Sequence, residues 1–257
     1  MKKQLDIFTS IINPEILHFD SIDSTNKYLL ENDHPNGTVA LADFQTAGRG
    51  RMTRKWKASK SEALLFSILL NENIREYHPS ILSFITAIAV FEGLSNVYRY
   101  LPFSLKWPND ILANKKKICG ILLESRSTGG DFSKIVIGIG INVNQPAKFF
   151  KQKGLEHGSS LLIETSKIGD RIKILESVLD SLEQNLVFAS KRSEAEVLNK
   201  WKSFCPYIGK QVKLLESNKE HVGIFEDLDS EGGIILNQNG RKSTFYAADV
   251  SFDKEYL

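Results

Sequence analysis

A change in periodicity near residue 206 constrains the fold of this chain more than any other feature. Before it, β-rich apolar runs alternate with long amphipathic helices, the clearest at 79–100 and 168–188. After it, short β-rich runs are separated by glycine and Asn/Asp turns. The pattern predicts two domains, residues 1–205 and residues 206–257, of which the second is a small SH3-like β-barrel.

The first domain is predicted to be an α+β sheet with helices on one face. Its predicted strands cover residues 16–19, 38–44, 62–70, 103–107, 118–124 and 134–143, and further helices begin at Asp23-Ser24 and near residue 191. The predicted strands of the second domain cover residues 211–215, 221–226, 232–236 and 243–246.

Composition narrows the classes of protein to which the chain can belong. The 33 Lys and Arg residues nearly balance 31 Asp and Glu residues, whereas a nucleic-acid binder is usually more basic. Cys119 and Cys205 lie far apart, which argues against a zinc site or disulfide framework and favours a reducing cytoplasm. Asp6 interrupts any signal-peptide core. Residues 81–94 are apolar but include Glu92 and are too few to span a bilayer, so they predict a buried helix.

Residues 45–57 form a basic, glycine-containing loop with five Lys or Arg residues between positions 49 and 57. Glycine lets the backbone approach a ligand closely, and arginine bonds phosphate or carboxylate in a bidentate manner. Trp56 offers a face for stacking on a base or for shielding a site. The loop predicts polyanion binding without a P-loop motif. A solvated basic turn or an RNA-contacting loop is the alternative.

A second polar segment runs from Lys106 to Gly120. Lys106 and Asp110 flank a tight proline turn and can face one pocket, where the lysine would bind phosphate and the aspartate would orient it or help hold Mg²⁺. An ordinary turn with a surface ion pair is the alternative. Lys117 leads directly into an apolar strand, which favours partial desolvation. Gly120 within that strand suggests close approach by another group. Cys119 is interpreted as inert core.

Two weaker signals complete the pattern. Ser24-Thr25-Asn26 opens a helix, where small polar side chains either cap the helix or offer donors and acceptors to a neutral polar ring. Gly138-Ile139-Gly140-Ile141-Asn142 ends a buried strand and lacks the third glycine of a dinucleotide fingerprint. It is either a place where backbone meets a ligand or a glycine-softened core strand.

Taken in order, these segments resemble the biotin–protein ligase family. The matching pieces are Ser24-Thr25-Asn26, Gln45-x-x-Gly-Arg-Gly-Arg-x-x-Arg-x-Trp56, Lys106-Trp-Pro-Asn-Asp110, Lys117-x-x-Gly120-Ile-Leu-x-Glu124 and Gly138-x-Gly-Ile-Asn142. Each piece alone is weak, but their shared order across residues 23–142 is specific.

The resemblance implies a mixed α+β sheet like that of class II aminoacyl-tRNA synthetases, followed by the SH3-like barrel. It also implies a two-step reaction in which biotin and ATP, with Mg²⁺, form biotinyl-adenylate and pyrophosphate. A lysine of a carrier protein then takes the biotinyl group. The expected acceptor is a biotin carboxyl carrier domain of a biotin-dependent carboxylase.

The family pattern also assigns roles to residues. Groups expected to act in catalysis are Arg49, Lys106, Asp110 and Lys117. Groups expected around biotin are Ser24, Thr25, Asn26, Gln45, Gly48, Arg49, Gly50, Arg51, Lys117 and Gly120. Groups expected around ATP are Arg49, Arg51, Arg54, Trp56, Lys106, Asn109 and Asn142. No metal ligand is assigned.

Two parts of the family pattern have no match here. Some members carry an N-terminal DNA-binding domain and repress transcription; only 22 residues precede Asp23, so a ligase without DNA binding is expected. Residues 145–157, where the family covers the adenine, and the C-terminal barrel yield no functional residue.

The sequence leaves other functions open. A lipoate–protein ligase shares the fold and the adenylate chemistry, although the Gly-Arg-Gly-Arg loop and the Lys-Trp-Pro-Asn-Asp turn favour biotin. A nucleic-acid-binding module and a degenerate biotin sensor are further alternatives. The chain is expected to be cytoplasmic, without a membrane partner, and either a monomer or a homodimer.

Overall fold

The computed structural model describes residues 11–12, 16–52, 54–72, 79–128, 131–217 and 219–251. The elements in chain order are β1 (Ile16–Phe19), α1 (Thr25–Glu31), β2 (Val39–Ala42), β3 (Ala63–Leu70), α2 (Pro79–Val97), β4 (Phe103–Lys106), β5 (Asp110–Ala113), β6 (Lys116–Thr128), β7 (Asp131–Asn142), α3 (Ala147–Lys153), α4 (Leu161–Thr165), α5 (Arg171–Ala189), α6 (Glu194–Ser203), β8 (Gln211–Glu216), β9 (Lys219–Leu228), β10 (Ile234–Gln238), β11 (Arg241–Phe245) and β12 (Asp249–Ser251).

Seven strands form one mixed sheet in the order β1-β2-β3-β7-β6-β5-β4. β1 runs parallel to β2, and the other pairings among these strands are antiparallel. The long strands β3, β7 and β6 lie at the centre, so their backbones form a rigid floor. The predicted α+β class is confirmed.

Helices cover both faces of this sheet, so the prediction of helices on one face was wrong. Phe66 and Ile68 on β3 belong to the large core that includes α2 and α5. Leu69, which points to the opposite face, packs with Leu29 of α1. All eight residues of β3 are buried, because a central strand covered on both sides has no solvent face.

Helix α2 is confirmed as a core helix, although the prediction made it too short to span a bilayer. The window Ser80–Val97 is long and apolar enough to do so by length and composition alone, yet 61% of it is buried inside the protein. A Cβ atom at Gly93 would lie 2.7 Å from Val178 Cα of α5, so the two helices touch at backbone distance. Glu92 is paired with Lys200 of α6 at 2.8 Å.

Several short elements escaped prediction from sequence. They are β5, α3, α4 and β12, each of three to seven residues and too short to show a period. α2 ends at Val97 rather than at residue 100. β6 extends from Lys116 to Thr128, beyond the predicted 118–124, because it pairs with β7 along almost its whole length.

The C-terminal strands form a second, antiparallel sheet in the order β11-β10-β9-β8-β12. It lies against the first sheet's domain: the Trp107 indole N–H donates to Gly232 O at 2.9 Å. A Cβ atom at Gly232 would meet the Phe84 ring of α2. This packing brings β12 to the rim of the cavity described next.

Candidate active site

A cavity of about 420 Å³ opens over the central strands and beneath the 45–57 loop. Every site residue predicted from sequence lines it, with the exception of Gly48. The predicted residues in its wall are Ser24, Thr25, Asn26, Gln45, Arg49, Gly50, Arg51, Arg54, Trp56, Lys106, Asn109, Asp110, Lys117, Gly120 and Asn142. Five separate chain segments therefore converge on one space.

Gly48 lies within the loop and is not among the residues that line the cavity, so its place beside biotin stays a prediction. Its carbonyl accepts from the Trp56 backbone N–H at 2.9 Å. A Cβ atom at position 48 would lie 2.9 Å from Trp56 O. The glycine thus lets the two arms of the loop approach each other.

A buried polar cluster forms one end of the cavity. Gln45 Oε1 accepts from the Thr25 backbone N–H at 2.8 Å, and Thr25 Oγ1 lies 2.6 Å from Ser67 Oγ. Ser67 Oγ donates to Asn26 Oδ1 at 2.5 Å. Asn26 Nδ2 donates to Leu122 O at 3.2 Å, so its amide is bonded on both sides.

These bonds fix which groups face the cavity as donors and which as acceptors. The Ser67 hydroxyl gives its one proton to Asn26, so the Thr25 hydroxyl shares its single proton between Ser67 Oγ at 2.6 Å and Gln45 Oε1 at 3.1 Å. Gln45 uses its oxygen within the protein, which leaves its NH₂ as a donor toward the cavity. The Ser24 oxygen caps α1 by accepting from the Lys27 N–H, so its hydroxyl proton is also available. Asn26 Oδ1 keeps a second lone pair as an acceptor.

The Trp56 ring lies on the strand floor, over two glycines. A Cβ atom would lie 2.9 Å from Trp56 Cζ3 at Gly120 and 2.7 Å from Trp56 Cε2 at Gly140. Close approach at Gly120 was predicted from sequence, and the approaching group is this indole. Trp56 therefore divides the cavity between the polar cluster and the basic end, and both glycines are needed for it to do so.

The basic end of the cavity is organised around Asp110. Lys117 Nζ lies 2.6 Å from Asp110 Oδ1, so the aspartate orients this lysine. Burial lowers the pKa of Lys106, and the nearby Asp110 charge partly opposes that shift. Burial likewise lowers the pKa of Arg51, again against the charge of Asp110. Lys117 pairs with this carboxylate and the charges of Lys106 and Arg51 act on it from nearby, so positive charge exceeds negative charge at this end of the cavity and favours an anion.

Two arginines of the loop are held by carboxylates from elsewhere in the chain. Arg49 Nη1 lies 2.8 Å from Glu124 Oε1 on β6. The Arg54 guanidinium forms an ion pair with Asp249 of β12, with Nη1 donating to Oδ1 at 2.9 Å. The loop is therefore tied to the sheet at one point and to the C-terminal domain at another.

Asn109 and Asn142 line the cavity but also fix the backbone around it. Asn109 Nδ2 donates to Ile121 O at 2.5 Å, and Ile121 N–H donates back to Asn109 O at 3.1 Å. Asn142 Oδ1 accepts from Gln145 Nε2 at 2.9 Å. Both asparagines thereby hold the turns that carry Asp110 and α3.

Three parts of the cavity wall were not predicted from the sequence. Ser67 is fully buried within an apolar strand, and that isolated hydroxyl was a readable signal. Residues 154–158 form another wall, fixed because Lys117 N–H donates to His157 O at 2.9 Å. Asp249 and Val250 come from the C-terminal domain. The last two depend on long-range packing, which has no local pattern.

Metal-binding groups do not cluster in this cavity among the described residues. His18, Asp20 and Asp43 could hold an ion but lie outside its wall. The acidic residues of the wall are Asp110, Glu156 and Asp249, of which Asp110 and Asp249 already pair with cations.

Comparison with known proteins follows the same division of the chain. Residues 18–142 match the model of the Biotin/lipoate A/B protein ligase family, and residues 207–253 match that of the Biotin protein ligase C terminal domain. The bifunctional ligase/repressor BirA of Bacillus subtilis (strain 168) is 30% identical over 245 residues, covering 94% of this chain and 75% of that protein.

Two further similarities cover most of both chains. The biotin–[acetyl-CoA-carboxylase] ligase of Paracoccus denitrificans is 28% identical over 82% of this chain and 89% of its own length. The solved structure of the Aquifex aeolicus biotin protein ligase in complex with biotin and ATP superimposes with a TM-score of 0.78 and 32% identity, covering 92% of this chain and 97% of that one.

Proposed function

The chain belongs to the biotin protein ligase family and is a biotin–protein ligase, and from that premise we propose that it joins biotin to ATP as biotinyl-5′-adenylate and transfers biotin to a lysine of a biotin carboxyl carrier domain. The observation that carries the proposal is the cavity itself, which has a neutral polar end and a cationic end separated by Trp56.

The polar end suits the ureido ring of biotin. That ring carries N–H donors and one carbonyl acceptor, and the cluster offers the opposite set: Asn26 Oδ1 as acceptor, with the Gln45 NH₂ and the Ser24 hydroxyl as donors. A buried site built to satisfy these groups rejects acids that lack them. Lipoate has no ureido group, so this complementarity favours biotin.

The cationic end suits the first chemical step. A biotin carboxylate oxygen attacks the α-phosphorus of ATP, forming the mixed anhydride while the bond to pyrophosphate breaks. Negative charge grows on the phosphate oxygens during this step, and preorganised cations stabilise it most effectively in a site shielded from water. We assign that role to Arg49, Lys106 and Lys117, with Asp110 orienting Lys117 at 2.6 Å.

The remaining contacts are proposed for holding the two substrates. Arg51 and Gly50 would lie along the biotin tail and the phosphates. Arg54, Trp56, Asn109 and Asn142 would hold the nucleotide, with residues 154–158 forming the outer wall. Closing the loop over the adenylate would exclude water until the acceptor arrives.

In the second step, the neutral ε-amine of the acceptor lysine attacks the biotinyl carbonyl. An amide bond forms, the bond to the phosphate oxygen breaks and AMP leaves. Lys117, already paired with Asp110, would stabilise the leaving phosphate oxygen. The acceptor proton would pass to a base in the opened cavity or to water.

Mg²⁺ is proposed as the companion of ATP. Two of the three acidic residues in the wall are already paired with cations, so the triphosphate itself would supply most of the oxygen ligands. The metal would neutralise phosphate charge, while this chain's residues bind and orient the substrates.

Four further expectations belong to the proposal. The division at residues 205 and 206 is supported by the two separate sheets. Ligation without transcriptional repression is supported by the near-neutral net charge of +2. A cytoplasmic location is supported by the buried position of both described cysteines, Cys119 and Cys205, without a disulfide. The protein is proposed to work as a monomer or homodimer.

Pyrophosphate–ATP exchange tests the central step. We expect exchange of radiolabelled pyrophosphate into ATP only when biotin and Mg²⁺ are present. Exchange with lipoate or octanoate but not with biotin would contradict the substrate, and no exchange with any acid would contradict adenylation. A sequence-specific gel shift with operator DNA would contradict the absence of repressor function.

A further inference from the structure

Glu124 is a motif residue to which the proposed chemistry gives no task. It lies on β6 opposite Val136 of β7 and keeps 23% of its side chain exposed. It does not belong to the cavity wall, yet it touches two residues that do. Such a residue can act on a ligand only through its neighbours.

Its two carboxylate oxygens hold two different parts of the site. Oε2 accepts from Asn26 Nδ2 at 2.8 Å, and Asn26 is only 5% exposed. Oε1 lies 2.8 Å from Arg49 Nη1 on the loop. One carboxylate thereby connects the polar end of the cavity with the loop that covers it.

The bond to Asn26 decides which way the amide points. With Nδ2 bonded to Glu124 and Leu122 O, both amide protons are used. Ser67 donates to the amide oxygen from the other side. Reversing the amide would put NH₂ against the Ser67 hydroxyl and an oxygen against a carboxylate, so the oxygen must lie on the Ser67 side, with its second lone pair as the remaining acceptor.

The bond to Arg49 holds a cation above the same cavity before substrate binds. Within the described part of the chain, one terminal nitrogen of Arg49 is engaged, by Glu124, and guanidinium has five N–H donors, so the others remain for a carboxylate. Arg49 is 40% exposed and would otherwise sample many rotamers.

We propose that Glu124 is a positioning residue for biotin, fixing the Asn26 acceptor and the Arg49 donor in one arrangement before biotin binds. This assignment rests on the proposed function and deepens it. It predicts a larger effect on biotin recognition than on ATP binding, because Asn26 serves only the acid whereas Arg49 serves both the acid and the phosphates.

Glu124→Gln tests the assignment with almost no change in shape. Its new NH₂ group cannot accept from Asn26 or from Arg49, so one of the two bonds is lost. We expect the biotin KM in pyrophosphate exchange to rise about 10- to 100-fold, as for loss of charge-assisted hydrogen bonds at a buried amide. The ATP KM and kcat should both change less than the biotin KM, because Arg49 is the one tethered group that also serves the phosphates. Glu31→Gln, an exposed substitution of the same type on α1, is the matched control.

Ligand discrimination supplies a readout that a merely structural role would not move. Wild type should use biotin in strong preference to biotin methylated on a ureido nitrogen. In Glu124→Gln the Asn26 amide can reverse, so the ratio of kcat/KM for biotin to kcat/KM for the methylated analogue should decrease. Should Glu124→Gln fail to fold, Glu124→Asp keeps the charge and must show the same selective rise in biotin KM.

The outcomes separate the two proposals. A wild-type protein without biotin-dependent exchange overturns the proposed function and this assignment together. Normal wild-type exchange with an unchanged biotin KM in both variants, or with equal losses toward biotin and ATP, overturns the role of Glu124 alone.

Discussion

The amide of Asn26 occupies the space that any side chain at position 138 would need: a Cβ atom there would lie 2.8 Å from Asn26 Cγ. Gly138 is therefore required by its neighbour on α1 and not by its own backbone angles, since its φ is not in the left-handed region. The relationship joins a glycine of the sheet floor to the proposed acceptor for biotin.

Gly138→Ala should consequently weaken biotin recognition. The methyl group would push the Asn26 amide from its bonds with Ser67 and Glu124, at a cost of about 1–3 kcal/mol. We expect the biotin KM to rise about tenfold or more while far-UV circular dichroism stays native. Ser127→Ala, at an exposed strand position outside the cavity wall, is the control. An unchanged biotin KM would contradict the placement of Asn26.

Lys117→Ala should abolish most adenylation. Removing one preorganised donor to developing phosphate charge typically costs about 100- to 1000-fold in kcat. The measurement is biotin-dependent pyrophosphate exchange, with Lys148→Ala, an exposed lysine on α3 outside the cavity wall, as control. Normal adenylate formation in Lys117→Ala would contradict its assigned role.

The pH dependence of kcat/KM for ATP should show the deprotonation of Lys106. Burial lowers its pKa below the usual 10.5, so kcat/KM for ATP, which reports the free enzyme, should fall with a midpoint below pH 10.5. Lys106→Arg should move that limb to higher pH. The midpoint staying at 10.5, or its failing to move in Lys106→Arg, would contradict a charged Lys106 at the phosphates.

The contribution of Lys106 to the free energy of unfolding should rise with pH over the range in which kcat/KM for ATP falls. Between the lowered pKa and 10.5 the unfolded chain binds the lysine proton more tightly than the folded one. The contribution of Lys106 to the free energy of unfolding therefore rises with pH in that window. Urea unfolding of wild type and Lys106→Met at several pH values measures this contribution, and a decrease with pH would contradict it.

The ion pair between Arg54 and Asp249 should couple the C-terminal domain to ATP binding. Asp249→Asn leaves the guanidinium without the partner that holds it at the cavity, so we expect the ATP KM to rise about three- to tenfold, as for about 1 kcal/mol. Asp227→Asn, which breaks the pair that another C-terminal carboxylate forms with Lys202 of α6, is the control. In Arg54→Ala, adding Asp249→Asn should cause little further loss; additive effects would mean that the two residues act independently.

Local pattern was enough to predict fifteen of the residues that line the cavity. Short motifs contain three residues that the folded chain brings to the cavity wall, namely Lys106, Asp110 and Lys117. The central strands were also predictable, because long apolar runs have few alternative structures. Each of these motifs alone also fits an ordinary turn or core strand, and their shared order along the chain is what makes them specific.

The remainder was set by contacts between distant parts of the chain. Gly120 signalled a close approach, yet nothing local identified Trp56, 64 positions earlier, as the approaching group. Asp249 pairs with a residue 195 positions away. β3 is apolar on both sides, so α1 covers the second face of the sheet. The prediction of helices on one face did not take this apolar second side into account.

The position of Trp56 gives this protein a built-in optical reporter. Of three tryptophans, Trp107 and Trp201 are at most 2% exposed, and the Trp107 indole N–H is bonded to Gly232 O. Trp56 alone belongs to the loop that must admit substrates. A change in tryptophan emission on adding biotin, absent from Trp56→Phe, would time the movement of the loop in unlabelled protein and separate it from the chemistry that follows.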